Sequence, residues 1–344
     1  MQSSNNANRM AGPVISLRPL LLTGGLVGAL LLLLSAVLAS NQSPRVLLDI
    51  FSTRFLGIFI EAVPFLLLGS FVSGLIEAFV RPEDVVRLLP RNRVVATIGG
   101  AFMGLVFPVC ECGVVPVTRR LFMKGLPMSV GISFLLAAPM VNPIVFASTY
   151  IAFGFNNIFV LRFVVTALVA VGVGLVFAIA ARPSEVLLPR AMMLTDADAI
   201  PRPRKTWKRG FSETLTVASS EFFEMGQYLV IGCLLAAGMQ TFVSQQALLE
   251  VGKGPFLSVL VMQGLAFLLS VCSTVDSFLA LAFTTTFTTG SIVVFLSFGP
   301  MVDIKSTIMF LSVFQRRTVF YLILLPFLMN LLAGVLINLR LGYF

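Results

Sequence analysis

Ala138-Pro139-Met140-Val141-Asn142-Pro143 returns as Gly299-Pro300-Met301-Val302-Asp303-Ile304, with Pro300 standing 161 residues beyond Pro139. Val109-Cys110 is echoed by Val271-Cys272, 162 residues on. Glu61, Leu66, Gly69, Phe79 and Val80 match Glu224, Leu229, Gly232, Phe242 and Val243, 163 residues on. Three collinear matches, each drifting by one residue, mark a duplicated unit. The matched positions put Glu, Cys, Pro and Asn or Asp inside apolar stretches. Internal repeats with interrupted helices point to a transporter's binding site.

Composition fixes the solvent. Hydrophobic residues make up 58% of the 344 and charged residues only 11%, less than half the usual share in soluble domains. Apolar windows of about 20 residues recur along the chain, the length a membrane-crossing helix needs. The net charge of +9 sits in short loops between these windows, as the positive-inside rule requires, and this disfavours a nucleic-acid partner. The absence of histidine excludes histidine metal sites, Ser-His-Asp triads and histidine proton relays. The four cysteines, Cys110, Cys112, Cys233 and Cys272, all lie in apolar surroundings, which argues against a secreted disulfide framework. No cofactor or resident metal is expected, and the partners are the lipid bilayer and a small-molecule or ion substrate. An oligomer is compatible with the sequence.

The expected fold is an all-α polytopic membrane protein. Residues 1–18 read as a cytoplasmic tail and 19–40 as a first transmembrane helix. Arg18 and the small residues Ala36–Ser40 mimic a signal peptide, but the apolar core is too long for one. Further spans are Phe55–Val80, Met128–Phe153, Asn157–Ala181, Phe222–Val243, Ser291–Phe314 and Val319–Leu339. Repeat 1 covers 55–181, a basic cytoplasmic linker 182–217, and repeat 2 218–340. Two segments remain, Val94–Thr118, broken by Pro108 and Pro116, and Phe256–Thr289, broken by a polar run. If each enters and returns as a re-entrant hairpin, the basic stretches Arg81–Arg93, Arg119–Lys124, Arg182–Arg209 and Arg316-Arg317 all lie inside. Each repeat then has three transmembrane helices plus a hairpin, so the two repeats have inverted topology with one extra N-terminal helix. The competing topology has nine spans with both segments crossing fully. In either case the expected location is the cell inner membrane, multi-pass.

Cys110-Glu111-Cys112-Gly113 is the sharpest local signal. Two thiols one residue apart close poorly on each other but can present sulfur to a soft species. In the second copy Cys272-Ser273-Thr274-Val275-Asp276-Ser277 places a carboxyl in an apolar span, where a charge is costly without a function or a partner. Asn142 and Asp303 follow prolines that unsettle their spans, so they can bond freed backbone groups or reach substrate. Glu61 and Glu224, paired by the repeat, suit ion coupling or an answer to arginines at span ends. Cys233 reads as a packed core residue, since its counterpart is Ser70.

Cys-x-Cys-Gly-x-x-Pro, Ala-Pro-x-x-Asn-Pro and Cys-Ser-Thr-x-Asp together resemble the bacterial and archaeal predicted permeases, a family that includes the organoarsenical efflux permeases. The likeness covers about Phe55 to Leu339. It implies export of trivalent organoarsenicals, with Cys110, Cys112 and Cys272 as candidate ligands. Glu111 and Val275 depart from the family pattern, Glu111 by adding a charge beside the thiols.

The expected function is therefore transport rather than catalysis. A permease would move a small thiophilic solute (a trivalent organoarsenical, a soft metal or a sulfur compound), in the direction of efflux. Its midplane site would comprise Cys110, Glu111, Cys112, Asn142, Cys272, Ser273, Thr274, Asp276 and Asp303. The alternatives are a membrane-embedded thiol oxidoreductase and a permease for a non-thiophilic ion or polar solute. No Gly-x-x-x-x-Gly-Lys-Ser/Thr motif occurs, so a nucleotide-binding P-loop is not the energy source.

Overall fold

The computed structural model describes residues 44–81, 84–85, 90, 92–105, 107, 109–180, 207–242 and 254–341. The N-terminal tail, the expected first span, Pro108 and most of the basic linker lie outside these residues. Among the described residues twelve α-helices fall into two sets of six, each in the order long, four short, long. The first six are α1 (Pro44–Phe79), α2 (Arg93–Phe102, continued by a 3-10 turn to Leu105), α3 (Glu111–Met123), α4 (Met128–Ala137), α5 (Pro143–Phe153) and α6 (Asn157–Ala180). The second six are α7 (Trp207–Phe242), α8 (Pro255–Leu269), α9 (Asp276–Leu281), α10 (Thr289–Phe298), α11 (Ile304–Val313) and α12 (Arg316–Leu341). No strand occurs among the described residues.

Among the described residues four helices, α1, α6, α7 and α12, are long and apolar enough to cross a membrane. Large apolar side chains such as Ile60, Leu67, Ile151, Leu168, Phe223 and Leu332 are exposed on them and on α5, as lipid-facing residues of a membrane protein are. The two expected spans Met128–Phe153 and Ser291–Phe314 are each split, into α4 and α5 and into α10 and α11. Pro139 and Pro143 remove donors at the first split. The side chain of Asn142 caps α5 by accepting from Ile144 N at 3.0 Å. Asp303 caps α11 through a capping box with Ser306, accepting from Ser306 N at 2.6 Å.

Contacts fix relative direction. Arg54, early in α1, meets the Gln240 carbonyl late in α7, while Gly74 and Phe79 late in α1 meet Thr214 and Gly210 early in α7. The two repeat-equivalent long helices are therefore antiparallel. Within the halves, α2 and α4 run side by side in the same sense, Gly100 against Val130 and Gly104 against Ala138. Likewise α8 and α10 are parallel, Ser258 Oγ lying 2.6 Å from Ser291 Oγ and Gly299 resting on Ala266. Two parallel helices joined by one intervening helix require the chain to turn back between them.

The centre is built by α4, in which every residue is buried, and α10, buried from Gly290 to Phe298. Each packs against the preceding parallel helix and the long helix that closes its half. Polar side chains join them, as is usual where lipid gives no hydrophobic drive. Asn330 of α12 accepts from Ser297 Oγ at 2.8 Å, and Asn338 accepts from Gly290 N at 2.9 Å.

Three boundaries differ from the sequence reading. α1 begins at Pro44 and α7 at Trp207, the latter inside the stretch read as linker, because Gly210 and Thr214 pack on the end of α1. Pro116 does not break its segment. α3 runs through it, pressed against α1 where Gly69 meets Gly113 and Ser73 Oγ donates to the Pro116 carbonyl at 3.4 Å. The interruption lies before Cys110 instead.

Candidate functional site

The short helices exchange partners between the halves: α3 packs against α11, and α9 packs against α5. Each contact brings the acid-bearing start of one half's returning helix to the break in the other half's split span. Two buried ionic centres result.

The first centres on Lys305 of α11, 2% exposed at its side chain. Its Nζ lies 3.3 Å from Glu111 Oε1 and 3.5 Å from Asp303 Oδ2. Glu111 is the first residue of α3, where the positive end of the helix favours an acid. The cysteines gather around this group. Cys110 is the N-cap of α3 and Cys112 its second residue, and both thiols are buried and free. Cys112 and Cys272 are electrostatic neighbours of Lys305, as Lys305, Cys112 and Asp303 are of Cys233. Thr274 Oγ1 donates to Cys272 Sγ at 3.5 Å. Repeat-equivalent glycines make the approach possible. Gly69 lets α1 close on Gly113, and Gly232 lets α7 close on the Lys305 backbone, where a Cβ would fall 2.9 Å from Lys305 Cα.

The second centre is Arg162 of α6 with Asp276, the first residue of α9. Arg162 Nη2 donates to Asp276 Oδ1 and Oδ2 at 2.9 and 2.8 Å, to the Ser273 carbonyl at 3.1 Å and to Met140 Sδ at 3.6 Å. Its Nη1 donates to Thr149 Oγ1 at 2.9 Å and Ser277 Oγ at 2.5 Å. The guanidinium thus ties α5, α6 and α9 together, one half to the other.

Of the residues read from sequence, Glu111 and Asp303 meet through Lys305, while Cys272 and Thr274 adjoin the same group. Ser273 and Asp276 belong to the Arg162 centre. Asn142 spends its side-chain oxygen on the α5 cap. Glu224 lies elsewhere, in a third cluster where α3 ends, 3.2 Å from Arg119. There Arg120 reaches Glu221 at 2.5 Å and Glu77 at 3.5 Å, and Lys124 reaches Glu77 at 3.2 Å. Glu61 stands mid-way along α1 rather than near a helix end, with Oε1 buried and unpartnered.

Residues 47–339 match the family described as predicted permease. The chain belongs to this predicted permease family. It is 43% identical over 270 residues to UPF0718 protein YcgR of Bacillus subtilis (strain 168), a match covering 78% of this chain and 90% of that protein. It is 36% identical over 267 residues to a Streptococcus mutans (serotype c, strain ATCC 700610 / UA159) protein named "Putative two-component membrane permease complex subunit", covering 76% and 86%. No solved structure matches.

The permease is a multi-pass membrane protein, and the cations of its two ionic centres, Arg162 and Lys305, were not among the residues singled out from sequence. Both carried a readable signal. Arg162 interrupts an apolar 24-residue helix and Lys305 follows Asp303 by two residues. An intramembrane acid demands a base, and these are the bases available.

Proposed function

We propose that this permease moves a small thiophilic solute, a trivalent organoarsenical or a small sulfur compound, outward across the inner membrane. The observation that carries the reading is the placement of buried free thiols at the Lys305 centre, where the two halves meet: Cys110 and Cys112 flank Glu111, and Cys112, Cys233 and Cys272 are electrostatic neighbours of Lys305. Thiols offer exchangeable soft ligands, and a carrier must release what it binds, so capture by one or two sulfurs suits transport. Glu111, Lys305 and Asp303 supply hydrogen-bonding groups for the polar end of such a solute.

Inverted repeats with re-entrant hairpins give this site access to both sides. The antiparallel α1 and α7 support opposite orientation of the halves. The parallel pairs α2/α4 and α8/α10 support hairpins that enter and return, and at 10 to 15 residues α2 and α8 are short for a full crossing. Matching breaks facing each other around a pseudo-twofold axis are how such repeats place a substrate site near the midplane. The Streptococcus relative's name favours a second component in the assembly.

The test is transport in everted vesicles over a panel of thiophiles that includes methylarsenite. Cys112→Ser and Cys272→Ser should each abolish accumulation of the responsive solute at unchanged protein level. Full transport in both variants would remove the thiols from the site and favour a non-thiophilic polar solute.

A further inference from the structure

The Lys305 centre carries unequal charge. Two carboxylates, Glu111 and Asp303, face a single ammonium, and the three side chains are only 3%, 1% and 2% exposed. One oxygen of each acid, Glu111 Oε2 and Asp303 Oδ2, is buried without a hydrogen-bond partner. Lys305 therefore offsets one negative charge and leaves another inside the membrane region, where an uncompensated charge is costly. Among the described residues no further base acts on this group. α3 adds the Cys110 and Cys112 thiols, α7 adds Cys233, the α8–α9 connection adds Cys272, and α1 carries the acid Glu61. Asp276 is already matched by Arg162. Asp303 Oδ2 has only its 3.5 Å ion pair with Lys305 and Glu111 Oε2 has no partner, and the two acids belong to opposite halves, Glu111 to the first and Asp303 to the second.

We propose that Glu111, Asp303 and Lys305 form a coupling site that takes up one monovalent cation, a proton or a sodium ion. Occupancy balances the charge and draws α3 and α11 together; departure leaves two acids competing for Lys305 and loosens the contact between the halves. Cation and solute thereby act on the same joint, which is what coupling requires, since a ligand shifts an equilibrium only through its differential affinity for two states. This rests on the permease reading and adds an energy source to it.

Infrared difference spectra of the full chain in liposomes, titrated from acid to alkaline pH with and without sodium, read the site without any solute. A carboxylic acid stretch of an apolar environment that disappears on deprotonation marks a bound proton. Its displacement by sodium would make sodium the ion. Either response should vanish in Glu111→Gln and in Asp303→Asn while the helical amide band stays intact, and should persist in Asp49→Asn on the exposed start of α1. A response that survives in both site variants, or no response to either cation, overturns the proposal. In proteoliposomes, the dependence of methylarsenite accumulation on the pH or sodium gradient seen in the wild type should be lost in Glu111→Gln and in Asp303→Asn. Were the wild type to carry no methylarsenite, the thiophile reading would fail while the spectra still decided the cation site.

Discussion

Among the described residues Arg162 is the largest side chain wholly withdrawn from solvent, and its worth lies in what its removal would leave behind. Asp276, buried beside it, pairs with no other base among the described residues. Breaking a buried pair from one side costs about 3–5 kcal/mol, whereas replacing both members with apolar residues of similar volume is often neutral. Arg162→Met should therefore lower the detergent melting temperature sharply, and Arg162→Met with Asp276→Leu should recover most of the loss. A double variant no better than the single one would show that Arg162 acts mainly through Thr149, Ser273 and Ser277. The acids at this scale were legible in the sequence because a carboxyl inside an apolar run is conspicuous. Their partners were not. Arg162 stands 114 residues from Asp276 and Lys305 stands 194 from Glu111, and without an alignment nothing in the chain states such pairings. Asn142 and Asp303 show the same limit. Both read as cap or ligand, and only the folded backbone reveals that each caps a helix while Asp303 has a second oxygen left for Lys305.

Short helices hold the chemistry because long ones cannot end inside the membrane region. The breaks at 138–142 and 299–303 were readable from proline and from the repeat, since a missing donor has local consequences. Pro116 was misread for a tertiary reason: α1 presses on α3 through Gly69 and Ser73, and packing holds the helix across the gap. The same close packing gives a sharp expectation for α7. Gly232→Ala would set a Cβ 2.9 Å from the Lys305 backbone, whereas Gly238, on the same helix, has nothing within 4 Å. Overpacking typically costs about 1–3 kcal/mol, so Gly232→Ala should destabilise by that order and impair transport, and Gly238→Ala should leave both unchanged. Thermal unfolding followed by size-exclusion in detergent would compare the two directly, and equal melting temperatures would mean that α7 shifts freely over α11. Ser270 is a second such point. It ends α8 in the left-handed region at φ 48° and its hydroxyl accepts from Ile304 N at 3.2 Å. Ser270→Gly should ease the backbone but lose that bond, whereas Ser270→Ala loses the bond and keeps the strain. The alanine variant should be the less stable of the two by about 1 kcal/mol in the same assay.

At the scale of the whole molecule the question is which ends share a face. Lys124 at the end of α3 meets Glu77 near the end of α1, and the Phe122 ring meets Phe314 at the end of α11 with centroids 6.1 Å apart. These contacts gather the α3–α4 turn and the α11–α12 turn at one end of the bundle, beside the start of α7. If α4 with α5 makes one crossing and the halves are inverted, as proposed, the α5–α6 turn at Gly154 and the α9–α10 turn both lie at the other end. The duplication that announced the fold thus becomes a topological statement about four turns. Single cysteines at Lys124 and Arg316, in a chain with the native cysteines replaced by serine, should react with a membrane-impermeant maleimide only from the cytoplasmic face. Cysteines at Asn156 and Thr286 should react only from the opposite face. Labelling of Lys124→Cys and Asn156→Cys from the same side would require the split span to turn back rather than cross. The halves would then share one orientation, and the facing of Glu111 by Lys305 would have to arise without a twofold relation.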